Sequence, residues 1–273
     1  MSKNRQRASV IVSVYKNADA LRVVLDSLSH QTENSFEIII SQDGDDKVIE
    51  EVCASYPFKN RWTLITQQDL GWRKNRALNN AIKAAKNDWL IFIDGDSFLH
   101  PRFVEYHLRL SGQKNIVAGK RVKLNKQLSQ LLLEEYHNIK IVKKKLLKSL
   151  FSKHKDIEFI EEGFFINPNG ILGFIPRIRR VTNLKGCNMS FSKDAIYAIN
   201  GFDQDYTLPA IGEDIDLTWR FLKAGYRIVS ARNTAVQYHL YHVENWVSQE
   251  ENIRQMKEKR DANLYICKNG LKK

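Results

Sequence analysis

Cysteine is scarce in this 273-residue chain: only Cys53, Cys187 and Cys267 occur, and no two of them form a CxxC pair. An odd, scattered set excludes a disulfide framework and fits reduced thiols in a reducing compartment. A glycine-rich phosphate loop is also missing. After the first apolar run the sequence reads Val14-Tyr15-Lys16-Asn17, and no Walker-type loop occurs elsewhere. Long apolar runs are absent too, since pieces such as Trp89–Ile93 fall far short of the roughly 20 residues that cross a bilayer. The basic N-terminus runs straight into Ala8–Val14, without the apolar core or cleavage site of a secretory leader. These absences predict a cytoplasmic protein whose membrane contact is at most peripheral.

Acidic charge is in deficit, with 31 Asp and Glu against 43 Lys and Arg, a net charge of +12. That field attracts polyanions of any kind and selects no partner by itself. A hydrophobic fraction of 43% places the chain among ordinary globular proteins. In the first half, strand-like runs at Ser9–Val14, Phe36–Ser41, Trp62–Thr66 and Trp89–Ile93 alternate with helical patterns near Asp19–Ser29, Asp45–Ser55 and Asn79–Lys86. This βαβ rhythm predicts an α/β fold with a mostly parallel sheet flanked by helices. Ligands of such sheets bind beyond the carboxyl ends of the strands. Here those ends carry Ser13–Asn17, Gln42–Asp46 and Asp94–Asp96.

Asp43, Asp45, Asp46, Asp94 and Asp96 thus crowd negative charge at one edge of a basic protein. A hard divalent cation relieves that repulsion, and such ions commonly bridge protein carboxylates to a diphosphate. A solvated turn is the competing reading of any single Asp-Gly-Asp.

The succession Ser9–Asn17, Phe36–Asp46 and Asp94-Gly95-Asp96 resembles the nucleotide-binding half of the inverting family-two glycosyltransferases. The resemblance implies the GT-A fold, a UDP-sugar donor and a Mn²⁺ or Mg²⁺ ion. It assigns Val14, Tyr15 and Asp43 to the nucleoside, Asp96 to the metal, and Asp94 and Gly95 to support of metal and donor. Gly71–Asn79 resembles the family's stretch before the Asp-x-Asp strand, which makes Lys74 and Arg76 candidates for the diphosphate. Further on, Gly186–Phe191, Asn200–Asp203 and Gly212–Arg220 are similar to the family's acceptor region. They also resemble the C-terminal domain shared by β-1,4-galactosyltransferases and chondroitin-type polymerases. This implies Asp214 as general base and Glu213 as acceptor ligand, with inversion by single displacement. Asp216 caps the predicted helix or pairs locally, since Arg220 stands four residues on and fits an ordinary surface ion pair. At the end of Ala235–His242, the resemblance makes His239 a metal ligand, with His242 in reserve.

These readings divide one continuous unit into a nucleotide-sugar half (1–119), a basic helical insertion with a loop (120–180), an acceptor half (181–246) and a helical tail (247–273). Within Lys120–Lys155, eleven Lys and Arg face only Glu134 and Glu135. Leu128, Leu132, Ile139, Val142, Leu146 and Leu150 recur there at helical spacing. An amphipathic helix or helix pair follows, packed on the core with solvated lysines, held against an anionic membrane surface or lipid carrier, or bound to nucleic acid. Phe164–Pro176 reads as a flexible loop able to close over the donor. The expected partners are a nucleotide-sugar donor and a glycan or glycolipid acceptor in bacterial polysaccharide or lipopolysaccharide biosynthesis, without nucleic acid. A sugar-nucleotidyltransferase and a noncatalytic polyanion-binding module are the alternatives.

Overall fold

The computed structural model describes residues 7–134, 139–150, 156–209, 211–243 and 247–272. The basic N-terminal residues, Glu135 and the lysines of 151–155 lie outside the described residues.

The first half alternates β1 (Ala8–Val14), α1 (Ala18–Ser29), β2 (Phe36–Gln42), α2 (Lys47–Ser55), β3 (Trp62–Ile65), α3 (Lys74–Ala84) and β4 (Trp89–Asp94). Then come β5 (Ser97–Leu99), α4 (Phe103–Arg109), β6 (Asn115–Ala118), β7 (Val122–Lys123), α5 (Lys126–Glu134) and α6 (Ile139–Leu150). The remainder holds α7 (Phe174–Ile178), β8 (Met189–Ser192), α8 (Lys193–Ala198), α9 (Ile215–Lys223), β9 (Arg227–Ser230), β10 (Gln237–His239) and α10 (Glu250–Asp261). The main sheet has the order β3-β2-β1-β4-β8-β6-β9. Its strands run parallel except β8, which pairs antiparallel with both β4 and β6. One strand of the acceptor half is therefore wedged between strands of the nucleotide half, which fuses the two.

Successive strand residues point to opposite faces, and a sheet covered on both faces needs apolar side chains at nearly every position. Val10, Val12, Ile38, Ile40, Ile91 and Ile93 enter one core with α1, α2 and α4. Ile11, Ile39, Leu90 and Phe92 enter the other, with α3, α8 and α9. The helices start where side chains satisfy their first amides: Asn17 accepts from Ala20 N, Asp46 from Val48 N and Ser192 from Ala195 N. One carboxylate oxygen of Asp46 is thus occupied as a cap.

A second sheet, β5-β10-β7, carries the lysine-rich insertion. Leu128, Leu132, Val142 and Leu146 are buried against it, while Leu147 and Leu150 stay exposed. The expected amphipathic pair is there, and it is packed on the core. Two boundaries differ from the sequence reading. α3 begins at Lys74, because Asn75 and Asn79 turn inward to bond the carbonyls of Asp203, Gly212 and Phe202. The 164–176 stretch ends in the short helix α7.

Candidate active site

The parallel register sets Ser13 level with both Ser41 and Asp94, so the tips of β1, β2 and β4 end together. Backbone bonds extend the alignment past the strands, from Gly95 N to Ser13 O (2.7 Å) and from Asp43 N to Val14 O (3.0 Å). Gly95 is required there: a Cβ would lie 2.8 Å from Val14 Cγ2 and 2.9 Å from Ser13 O. Beyond the tips opens a cleft of about 820 Å³, lined by Val14, Tyr15, Asp43, Lys74, Asp94, Gly95, Asp96, Glu213, His239 and His242 among others.

Asp43 is buried and held from two sides, by Gln67 Nε2 at 2.7 Å and Arg73 N at 2.9 Å. Tyr15 stands exposed at the mouth, where its hydroxyl donates to Asp69 Oδ2 at 3.3 Å. Lys74 Nζ lies 2.9 Å from Asp94 Oδ1 and 2.9 Å from Glu213 Oε2. Burial opposes ionisation of the Asp94 carboxyl, but the Lys74 ammonium outweighs it and holds that group below the usual range. Glu213 goes the other way: burial and the neighbouring Asp94 and Asp214 charges raise it despite Lys74. One ammonium shared by two carboxylates cannot fully neutralise both.

Asp96 lies opposite two imidazoles, His239 Nε2 at 3.5 Å and His242 Nε2 at 3.4 Å from its Oδ2. Each ring places Nδ1 on a carbonyl, Leu240 O at 2.8 Å and Val243 O at 3.2 Å. A carbonyl only accepts, so Nδ1 carries a proton in each ring, and in neutral His239 the Nε2 lone pair faces the carboxylate. Burial holds His239 neutral, lowering it to about 4, while burial and the Asp94 charge push Asp96 up to about 6. Asp96 Oδ1 is buried and has no hydrogen-bond partner among the described residues. Two imidazole nitrogens and a carboxylate oxygen lie within 4.8 Å of one another, an arrangement that a divalent cation would join. That donor set fits Mn²⁺ or Mg²⁺, with the nitrogens favouring Mn²⁺. His239 and His242 thus lie at nearly the same distance from Asp96, the first buried and the second exposed.

Asp214 immediately precedes α9, is half-buried, and follows Glu213, which lines the cleft. Burial raises its carboxyl above the usual range, against the Lys185 charge and the amides of Gly186 and Ile215. Arg76 is exposed on α3 and does not line the cleft.

Sequence reasoning passed over Arg121, Lys123 and Lys185. Arg121 lines the cleft 3.7 Å from Asp94 Oδ2, on an irregular turn that no periodic pattern marks. Asp216 and Arg220, read as a surface pair, are instead fully buried at 3.1 Å.

The sequence profile described as glycosyl transferase family 2 matches residues 9–171, more than half of the chain. A second profile, described as the N-terminal domain of galactosyltransferase, matches residues 177–243. The chain is 23% identical over 242 residues to the chondroitin synthase of Escherichia coli, covering 85% of this chain and 34% of that protein. It spans about a third of the length of such curated relatives. Among solved structures it resembles a mannosyltransferase of Pyrobaculum calidifontis in complex with GDP-Man and Mn²⁺, at TM-score 0.57 and 15% identity, over 94% of this chain and 62% of that one. It also resembles GalNAc-T7 with UDP, GalNAc and Mn²⁺, at TM-score 0.66 and 12% identity, over 94% and 48% respectively. Both likenesses establish the GT-A fold.

Proposed function

Because the chain belongs to glycosyl transferase family 2, we propose that it moves a sugar from a UDP-sugar to a hydroxyl of a glycan or glycolipid acceptor, inverting the anomeric carbon. The sugar is a hexose or an N-acetylhexosamine. The process is assembly of a bacterial surface polysaccharide or lipopolysaccharide, in keeping with the similarity to a chondroitin synthase. The observation that carries the reading is the set of Asp96, His239 and His242 in the same cleft as Asp43, Lys74 and Glu213.

In this reading Val14, Tyr15 and Asp43 hold the nucleoside, and Asp96, His239 and His242 hold Mn²⁺ or Mg²⁺. The bound ion supplies positive charge where the departing diphosphate accumulates negative charge. Lys74 is committed to Asp94 and Glu213 and keeps both carboxylates in place, so Arg121 is the better-placed side chain to contact the diphosphate. Asp214 removes the acceptor hydroxyl proton while that oxygen attacks, and its raised pKa suits a general base. Glu213 binds the acceptor from the same turn.

The test is a panel of nucleotide sugars with Mn²⁺, following nucleotide release by the wild type and by Asp214→Asn. A UDP-sugar is expected to turn over in the wild type. The variant keeps UDP binding, seen as thermal stabilisation, and loses about 10²–10⁴-fold in rate. Release from no donor with any divalent ion would end the transferase reading.

A further inference from the structure

Ile171, Leu172, Phe174 and Ile178 expose 97, 54, 56 and 68% of their surface within eight residues. Single exposed apolar side chains are ordinary, but four large ones together mark an interaction surface. Arg177 and Arg180 stand exposed among them. We propose that residues 171–180 dock this protein on an anionic lipid bilayer, with the four apolar side chains entering the interface and Arg177 and Arg180 meeting lipid phosphates.

The backbone of the segment supports that placement. A loop that enters the interface must satisfy its own polar groups, because lipid offers no hydrogen bonds. Here Gly170 N donates to Asn167 O, Gly173 N to Gly170 O, Ile175 N to Leu172 O and Arg179 N to Ile175 O, all at 2.9–3.2 Å. Arg177 Nη2 caps Pro168 O at 3.0 Å. The base is fixed to the fold: Ser230 Oγ donates to Arg179 O at 2.6 Å, and the Arg179 guanidinium pairs with buried Glu162 at 3.1 Å. The apolar apex is therefore presented by a folded element.

Charge selects the occupant. A second copy of this chain would bring Arg177 and Arg180 against their own counterparts, in a protein of net charge +12. An anionic surface complements them, and each basic side chain near such a surface strengthens binding roughly fivefold.

The test is co-sedimentation of the full chain, without donor, with phosphatidylcholine vesicles and with phosphatidylcholine–phosphatidylglycerol vesicles. Expected is binding at least tenfold stronger to the anionic vesicles. Ile171→Ser/Phe174→Ser and Arg177→Glu/Arg180→Glu each lose at least tenfold, with thermal unfolding unchanged. The wild type failing to sediment, or the serine variant binding as the wild type does, overturns the proposal. So does a loss confined to Lys144→Glu/Lys145→Glu/Lys148→Glu, which would place the contact on α6. Self-association in lipid-free sedimentation velocity that the serine variant abolishes would assign the patch to a second copy instead. None of these readouts involves sugar transfer, so binding and the transferase reading stand or fall separately.

Discussion

Lys74 Nζ and Glu213 Oε2 stand 2.9 Å apart, a contact that ties α3, in the nucleotide half, to the turn that opens α9. The same ammonium meets Asp94, so removing it leaves two carboxylates facing each other in a largely desolvated cleft. Lys74→Met is expected to cost about 2–4 kcal/mol. That is below the usual range for breaking an enclosed pair, because the three side chains keep 16–20% exposure. Urea unfolding midpoints measure it, and an unchanged midpoint would show that the contact holds nothing together.

Burial raises the Asp214 carboxyl, and Lys185 works against that rise. A base acts only when ionised, so kcat is expected to fall as pH drops through the raised pKa. The limb then lies above about pH 4, where an unperturbed Asp titrates. Lys185→Met removes a positive charge that favours the carboxylate, which moves the limb to higher pH. A pH–rate profile of both proteins decides it; coincident limbs would detach Lys185 from the group that titrates.

Among the described residues the buried Asp96 Oδ1 has no hydrogen-bond donor, and its Oδ2 faces two imidazole nitrogens. Without metal, that arrangement is a cost to the fold. Asp96→Asn removes the charge and supplies an N–H group to an imidazole nitrogen, so the metal-free variant is expected to melt no lower than the wild type. The stabilisation that Mn²⁺ and UDP give the wild type should disappear in the variant, and chelation should remove it from the wild type. Differential scanning calorimetry with and without Mn²⁺ checks both, and a variant still stabilised by Mn²⁺ would move the metal elsewhere.

The central strands were legible because β1, β2 and β4 are buried on both faces, which leaves unbroken apolar runs in the sequence. Asp94-Gly95-Asp96 was legible because it ends such a run. The second sheet was not, since β5, β7 and β10 hold only two or three residues each and carry no period. Lys74 was read as a phosphate ligand because sequence shows its charge and not the carboxylates that fold brings to it. Arg121 reaches the cleft only because β6 places its following turn there.

The same blindness to distant partners governs Arg220. Spacing alone makes Asp216 and Arg220 a surface pair worth about 0.3–0.5 kcal/mol. In the fold, Tyr206 and Trp219 also donate to Asp216 Oδ1, at 3.0 and 3.1 Å. Arg220 donates to Tyr265 O at 3.0 Å, to Gly201 O at 2.8 Å and to Ile199 O. The guanidinium thus joins α9 to the C-terminal tail and to the turn after α8. Arg220→Met leaves a buried carboxylate without its countercharge and three carbonyls without a donor, and is expected to cost about 3–5 kcal/mol. Adding Asp216→Asn should recover part of that loss by removing the stranded charge. Because α9 starts directly after Asp214, turnover should fall in the single variant even below its melting range. A loss under about 1 kcal/mol in urea unfolding would return the pair to the surface, where sequence spacing put it.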